Sequence, residues 1–124
     1  MSEYRRHAIG RAWEAAAADF LASRGLDVVE RGYRCRLGEL DLICLDGATI
    51  VVVEVRARAS AAHGSAGETV DARKRKKIVN ATRHYLMRNP AWFERPIRFD
   101  VVAVDSIESQ EPHVEWIQGA FDAG

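Results

Sequence analysis

The sequence predicts an α/β fold: a mixed central sheet with flanking helices, in the element order α-β-β-β-α-β-β. Three observations lead there. The chain opens on a helical apolar stripe, and two apolar runs then flank Asp46-Gly47 within the stretch Gly38 to Arg58. A basic amphipathic helix follows, and it is bracketed by runs rich in β-branched residues. A strand-helix-strand passage returns in parallel by a right-handed crossover, whereas strands joined by a tight turn pair antiparallel.

At 124 residues the chain fits one domain, spanning residues 1–124, with enough length to bury a core without disulfides. Eighteen basic and eighteen acidic residues cancel. Net charge therefore selects no polyanionic partner, but its distribution is uneven. Nine Lys or Arg stand against two acids between Arg56 and Arg88, and two against seven from Asn89 onward. A locally basic surface on a neutral protein follows. Cys35 and Cys44 fit neither a Cys-x-x-Cys zinc site nor a disulfide framework, so they read as reduced strand residues of a cytoplasmic protein. Glu14 and Asp19 interrupt the Ala-rich stretch near the N-terminus, which excludes a signal peptide there. No run reaches the roughly 20 apolar residues that a membrane span needs.

The first helix is expected from about Glu3 to Arg24, because Ile9, Trp13, Ala16, Ala17, Phe20 and Leu21 recur every three or four residues. Ser2 is the candidate N-cap and Gly25 the stop. Glu14 stands at the margin of this stripe. Leu26 to Arg31 reads as a short first strand, with Gly32-Tyr33 as a break. Arg34 and Arg36 then lead into the second strand, about Glu39 to Leu45. The third, about Thr49 to Arg58, is nearly continuous in apolar character, as a strand covered on both faces is. A loop, Ala59 to Glu68, carries His63. The second helix, about Ala72 to Arg88 with Asp71 as its cap, begins with Arg73, Lys74, Arg75, Lys76 and Lys77 and buries Ile78, Val79, Thr82, Tyr85 and Leu86. Asn89-Pro90 ends it. Ile97 to Val104 is an internal fourth strand containing Asp100, and a short last strand lies near His113 to Ile117.

The acids around the hairpin carry the chemistry. An even loop puts Asp41 and Glu54 on one face of the pair. A four-residue loop, Asp46 to Thr49, sets Asp41 opposite Glu54, whereas a two-residue loop sets Glu39 opposite Glu54. Like charges opposed across strands repel, a cost that a divalent cation removes. Arg56 and Arg58 share that face. Carboxylates beside a cation suit a hard metal, Mg²⁺ or Mn²⁺, which takes oxygen ligands and assists phosphodiester chemistry. A plain surface network, with the arginines neutralising the acids, is the competing reading. The cations near the N-terminus of the second helix oppose its macrodipole, a cost that a phosphate backbone would offset. Lys74, Lys77, Arg34, Arg36 and Arg58 are accordingly the candidate nucleic-acid contacts. His7, His63, His84 and His113 lie in no ligand spacing. Asp100 reads as a structural acceptor, and Trp13, Trp92, Trp116 and Phe99 as core or interface residues.

Asp41, twelve intervening residues, then Glu54-Val55-Arg56 resembles the D…E-x-K pattern of the PD-(D/E)xK nuclease superfamily. The spacing is similar to that of archaeal Holliday junction resolvases, which carry a glutamate on the N-terminal helix where this chain has Glu14. Gly10-Arg11 with Glu14, Gly38 to Ile43, Val53 to Arg56 and Arg98 to Val102 resemble the bacterial YraN family of predicted endonucleases. The resemblance implies a restriction endonuclease-like fold and a metal-dependent endonuclease acting on DNA, branched DNA included. It implies Glu14, Asp41 and Glu54 as ligands of Mg²⁺ or Mn²⁺, Arg56 at the scissile phosphate, and a homodimer. Arg56 stands where the pattern has lysine. Arginine stays protonated and cannot act as a base, so either Arg56 stabilises phosphorane-like charge while the metal generates hydroxide, or the basic helix supplies the lysine, with Lys74 and Lys77 as candidates. The alternative is a non-catalytic nucleic-acid-binding or assembly module that keeps the fold.

Overall fold

A computed structural model describes residues 3–57, 70–105 and 113–123, with side chains from residue 11 onward. Its elements are α1 (Glu3–Ser23), β1 (Asp27–Cys35), β2 (Gly38–Asp46), β3 (Thr49–Ala57), α2 (Ala72–Met87), β4 (Ile97–Asp105) and β5 (His113–Phe121), with a 3₁₀ turn at Pro90–Trp92 before β4. The five strands form one sheet in the order β1-β2-β3-β4-β5. The pair β3–β4 is parallel, joined through α2, and every other neighbour is antiparallel. This is the expected mixed α/β architecture, and it is consistent with a nuclease-like fold.

β3 is central, and its run Ile50 to Val53 is buried on both faces, which explains why its sequence shows no alternation. On one face Leu42, Cys44, Val51, Val53, Val102 and Val104 pack with Ala17, Ala18, Leu21 and Leu26 of the α1 region. The other face carries Ile43, Ile50, Val52, Phe99 and Val101, which pack with Ile78, Val79, Ala81, Tyr85 and Leu86 of α2. Both cysteines are free, and burial pushes the Cys44 thiol up to about 12, so it is inert at neutral pH.

Three sequence expectations need correction. β1 does not stop at Arg31. It runs on to Cys35, because Tyr33, Arg34 and Cys35 pair with Leu40, Glu39 and Gly38 of β2. Gly32, at φ +66°, absorbs a local conformation that most side chains resist, so the strand bends instead of ending. β5 likewise extends beyond Ile117 to Phe121, which pairs with Phe99 and stacks on its ring. The turn between β2 and β3 is Gly47-Ala48, not one centred on Asp46-Gly47, since Asp46 pairs with Thr49. The Ser2 cap and His63 lie outside the described residues, as do Arg58 and the loop that contains His63.

Candidate metal centre

The hairpin register sets the centre. The two-residue turn is even, and the ladder runs Asp46↔Thr49, Leu45↔Ile50, Cys44↔Val51, Ile43↔Val52, Leu42↔Val53. This is the register expected from the longer of the two even loops. The ladder stops at Leu42↔Val53, one residue short of Asp41 and Glu54, and there Asp41 changes role. Its Oδ2 accepts a hydrogen bond from the Val55 backbone N–H at 2.9 Å. Leu40 packs on the α2 side of the sheet and Leu42 on the α1 side, although strand alternation would give them one face. β2 therefore twists about Asp41, at the end of the sheet where both helices can reach its carboxylate.

From α1 comes Glu14. Among the described side chains of that helix Ala17, Ala18 and Leu21 are buried, and Glu14, half-buried like Trp13, lies one turn before them at the edge of the buried line. Small alanines at 17 and 18 let the helix axis lie close to the sheet. The carboxylates of Glu14, Glu39 and Asp41 converge, each contributing an oxygen within 4.8 Å of the others. Glu39 is the residue that the twelve-residue spacing passed over. Its sequence signals were its position two residues before Asp41 on the same strand and its place opposite Glu54 in the shorter of the two even-loop registers.

Glu54 adjoins Asp41 as a side-chain partner, and its side chain is 5% exposed. Lys74 of α2 brings its Nζ to 3.6 Å from Glu54 Oε1, and Arg56 Nε stands 4.0 Å from the same oxygen. The α2 N-cap positions Lys74: Asp71 Oδ1 accepts from the Lys74 backbone N–H at 2.8 Å. Arg34 Nε pairs with Glu39 Oε1 at 3.5 Å on the exposed flank.

The electrostatics are those of acids crowded without enough cations. Burial, the Asp41 charge and the Glu39 charge push Glu14 from 4.5 to about 7. Burial and Asp41 push Glu54 up to about 8, against the lowering effects of Lys74 and Arg56. Asp41 is raised by burial and held down by the Val55 N–H, Glu54 and Lys74. Near neutral pH, burial and the Asp41 charge thus raise the proton affinity of both Glu14 and Glu54.

The remaining sequence candidates divide. Arg36 is exposed and makes no ion pair among the described residues. Lys77 contributes backbone: a Cβ added at Gly38 would come within 3.2 Å of the Lys77 carbonyl oxygen, so the glycine lets α2 seat on the start of β2. Asp100 is structural. It is 1% exposed and accepts from Arg98 Nε and Nη2, Trp116 Nε1 and the Gly119 N–H. His84 bonds the Tyr33 hydroxyl, and His113 is exposed.

A family model described as uncharacterised protein family UPF0102 matches residues 13–104, which include all the acids above. A UPF0102 protein of Ectopseudomonas mendocina is 49% identical over 115 residues, covering 93% of this chain and 95% of its own. One from Pseudomonas aeruginosa is 46% identical over 92% of both chains. One from Alcanivorax borkumensis is 44% identical over 90% of both.

Proposed function

The chain belongs to the uncharacterised protein family UPF0102, the YraN family, and from that premise we propose that it is a divalent-metal-dependent endonuclease of the PD-(D/E)xK kind acting on DNA. The observation that carries the reading is the convergence of Glu14, Glu39 and Asp41, backed by Glu54 with Lys74 against it. An all-oxygen donor set fits Mg²⁺ or Mn²⁺ and suits softer metals poorly. The raised Glu14 and Glu54 support the same fit, since a cation is what such a cluster lacks.

Glu14, Glu39 and Asp41 would hold the ion, with Glu54 shared between the ion and Lys74. When bound, the ion supplies Lewis-acid stabilisation of phosphodiester charge and lowers the pKa of a coordinated water. The Val55 N–H fixes the orientation of Asp41, so the ligand set is held from the backbone. Lys74 stands where an ammonium can orient an attacking water or donate to a phosphate oxygen, the role that Arg56 cannot fill as a base. Arg56, beside the same glutamate, adds permanent positive charge facing the phosphate. Glu14 and Glu54 must shed their protons to bind a cation, which couples loading to pH.

Cleavage assays on linear duplex, flapped, single-stranded and four-way-junction DNA with Mg²⁺ and Mn²⁺ test the reading. Metal-dependent cutting that EDTA stops and Glu54→Gln abolishes is expected. DNA binding that survives EDTA, with no cutting of any substrate, would replace the enzyme by a binding module.

A further inference from the structure

We infer that the groove between α2 and the end of β5 is a second phosphodiester-backbone contact, separate from the carboxylate cluster. The groove encloses about 590 Å³ and is lined by Lys76, Asn80 and Arg83 of α2 along one wall, with Phe121 and Asp122 of β5 and its continuation along the other. Lys74 and Lys76 are two residues apart, about 200° around a helix of 3.6 residues per turn, so the two ammonium groups leave α2 on nearly opposite flanks. The flank of Lys74 faces Glu54. The flank of Lys76 faces the groove.

Lys76, Asn80 and Arg83 are spaced by four and three residues, which makes them a single row of donors along α2. The row covers about 10 Å, roughly the rise of three successive phosphates along one strand. Lys76 and Arg83 are exposed, and neither forms an ion pair among the described residues. Both charges are therefore available to a polyanion. Among the described residues Asp122 is the one acid in the lining, and it is outnumbered.

The groove offers little to an occupant that docks by apolar side chains. Val79 and Phe121 are buried, and the Arg75 guanidinium lies 5.3 Å over the Phe121 ring, covering it. Arg75 is further tied down by a 2.7 Å hydrogen bond from its Nε to the Val70 carbonyl. What remains open is a cationic edge with an amide donor, which suits phosphate oxygens and reads no base. The inference takes the identity of the polyanion from the nuclease reading. It takes nothing else from it, because binding in the groove needs neither metal nor cleavage.

The test is fluorescence anisotropy of a labelled 20-base-pair DNA duplex in EDTA, measured on Glu54→Gln protein so that no cutting intervenes. Lys76→Glu with Arg83→Glu is expected to weaken binding at least tenfold and to lower the slope of log affinity against log salt by about 2. Circular dichroism and thermal melting check that the variant stays folded; both residues are exposed, and a mild Lys76→Gln, Arg83→Gln pair gives the same direction with a smaller loss. Unchanged affinity and slope in the folded double variant overturn the inference. Displacement of the duplex by poly-glutamate at equal charge concentration also overturns it, since the groove would then be a general acidic-peptide surface. A wild type that never cuts DNA, together with a lost salt slope in the variant, removes the nuclease reading and leaves the groove standing.

Discussion

Lys74 Nζ lies 3.6 Å from Glu54 Oε1, closer than Arg56 Nε at 4.0 Å from the same atom. A lysine carried on α2 thus stands beside the strand glutamate, nearer to it than the arginine two residues along β3. The backbone supports this arrangement, since the Lys74 N–H is capped by Asp71 and α2 closes down on Gly38.

Cleavage should therefore depend on Lys74 more than on Arg56. Lys74→Gln is expected to cut the rate by about 10²-fold or more, the range for a lost proton-transfer or water-orienting group, with thermal stability little changed. Arg56→Lys keeps the charge and should leave the rate within a few-fold. A Lys74→Gln enzyme as fast as wild type would remove the lysine from the chemistry.

Stability should fall with rising pH in the metal-free protein. Glu14 at about 7 and Glu54 at about 8 both lie above their ordinary 4.5, so between those limits the folded state binds more protons than the unfolded chain. The contribution is complete below about pH 4.5 and is lost as pH rises through 7 and 8. With the Glu14 part discounted for its partial exposure, the loss between pH 5 and 8 is on the order of 4 kcal/mol, a melting temperature lower by roughly ten degrees or more. Millimolar Mn²⁺ should flatten the slope. Thermal melts in EDTA that stay level or rise over this window would contradict the crowding of these acids.

Glu39 should behave as a ligand although the pattern of twelve intervening residues omits it. Isothermal titration with Mn²⁺ is expected to show Glu39→Gln weakening affinity about tenfold or more, comparable with Glu14→Gln. Arg34→Ala should strengthen binding slightly, because Arg34 competes for Glu39 from 3.5 Å in a largely exposed pair. Equal affinity in wild type and Glu39→Gln would exclude it from the ion's coordination.

Asp100 should matter for folding and not for metal. Asp100→Asn leaves the Arg98 guanidinium with only its half-exposed partner Asp46 and weakens a buried network that also holds Trp116 and Gly119. A loss of about 3–5 kcal/mol is expected, with a shift in Trp116 fluorescence. Mn²⁺ affinity, measured where the variant remains folded, should match wild type. Lost affinity at undiminished stability would make Asp100 a ligand instead.

The parts legible from sequence were those that local physics decides. Alternation, an even turn and β-branched runs set the register that pairs Leu42 with Val53, next to Asp41 and Glu54, because a hairpin's register depends on residues within a few positions of its turn. The crossover rule implied the parallel pairing of β3 with β4. The same local reasoning misplaced the end of β1, since Gly32 looked like a break until the Tyr33↔Leu40 and Arg34↔Glu39 pairs held the strand together. Similarly, the stripe of Ile9, Trp13, Ala16, Ala17, Phe20 and Leu21 omitted Ala18, which the packing buries.

The tertiary structure alone chose among cations and acids far apart in sequence. Lys74 and Lys77 were equal on the helix until α2 packed, and that packing turned Lys74 toward Glu54 while Lys77 laid its carbonyl against Gly38. Glu39 joined Glu14 only where β2 twists about Asp41 and α1 closes over it on two alanines. Twist and helix seating are sums over many side-chain contacts across the whole sheet, so no short window of the chain encodes them. Sequence thus determined which two strands carry the acids, and packing determined which lysine and which third carboxylate stand beside them.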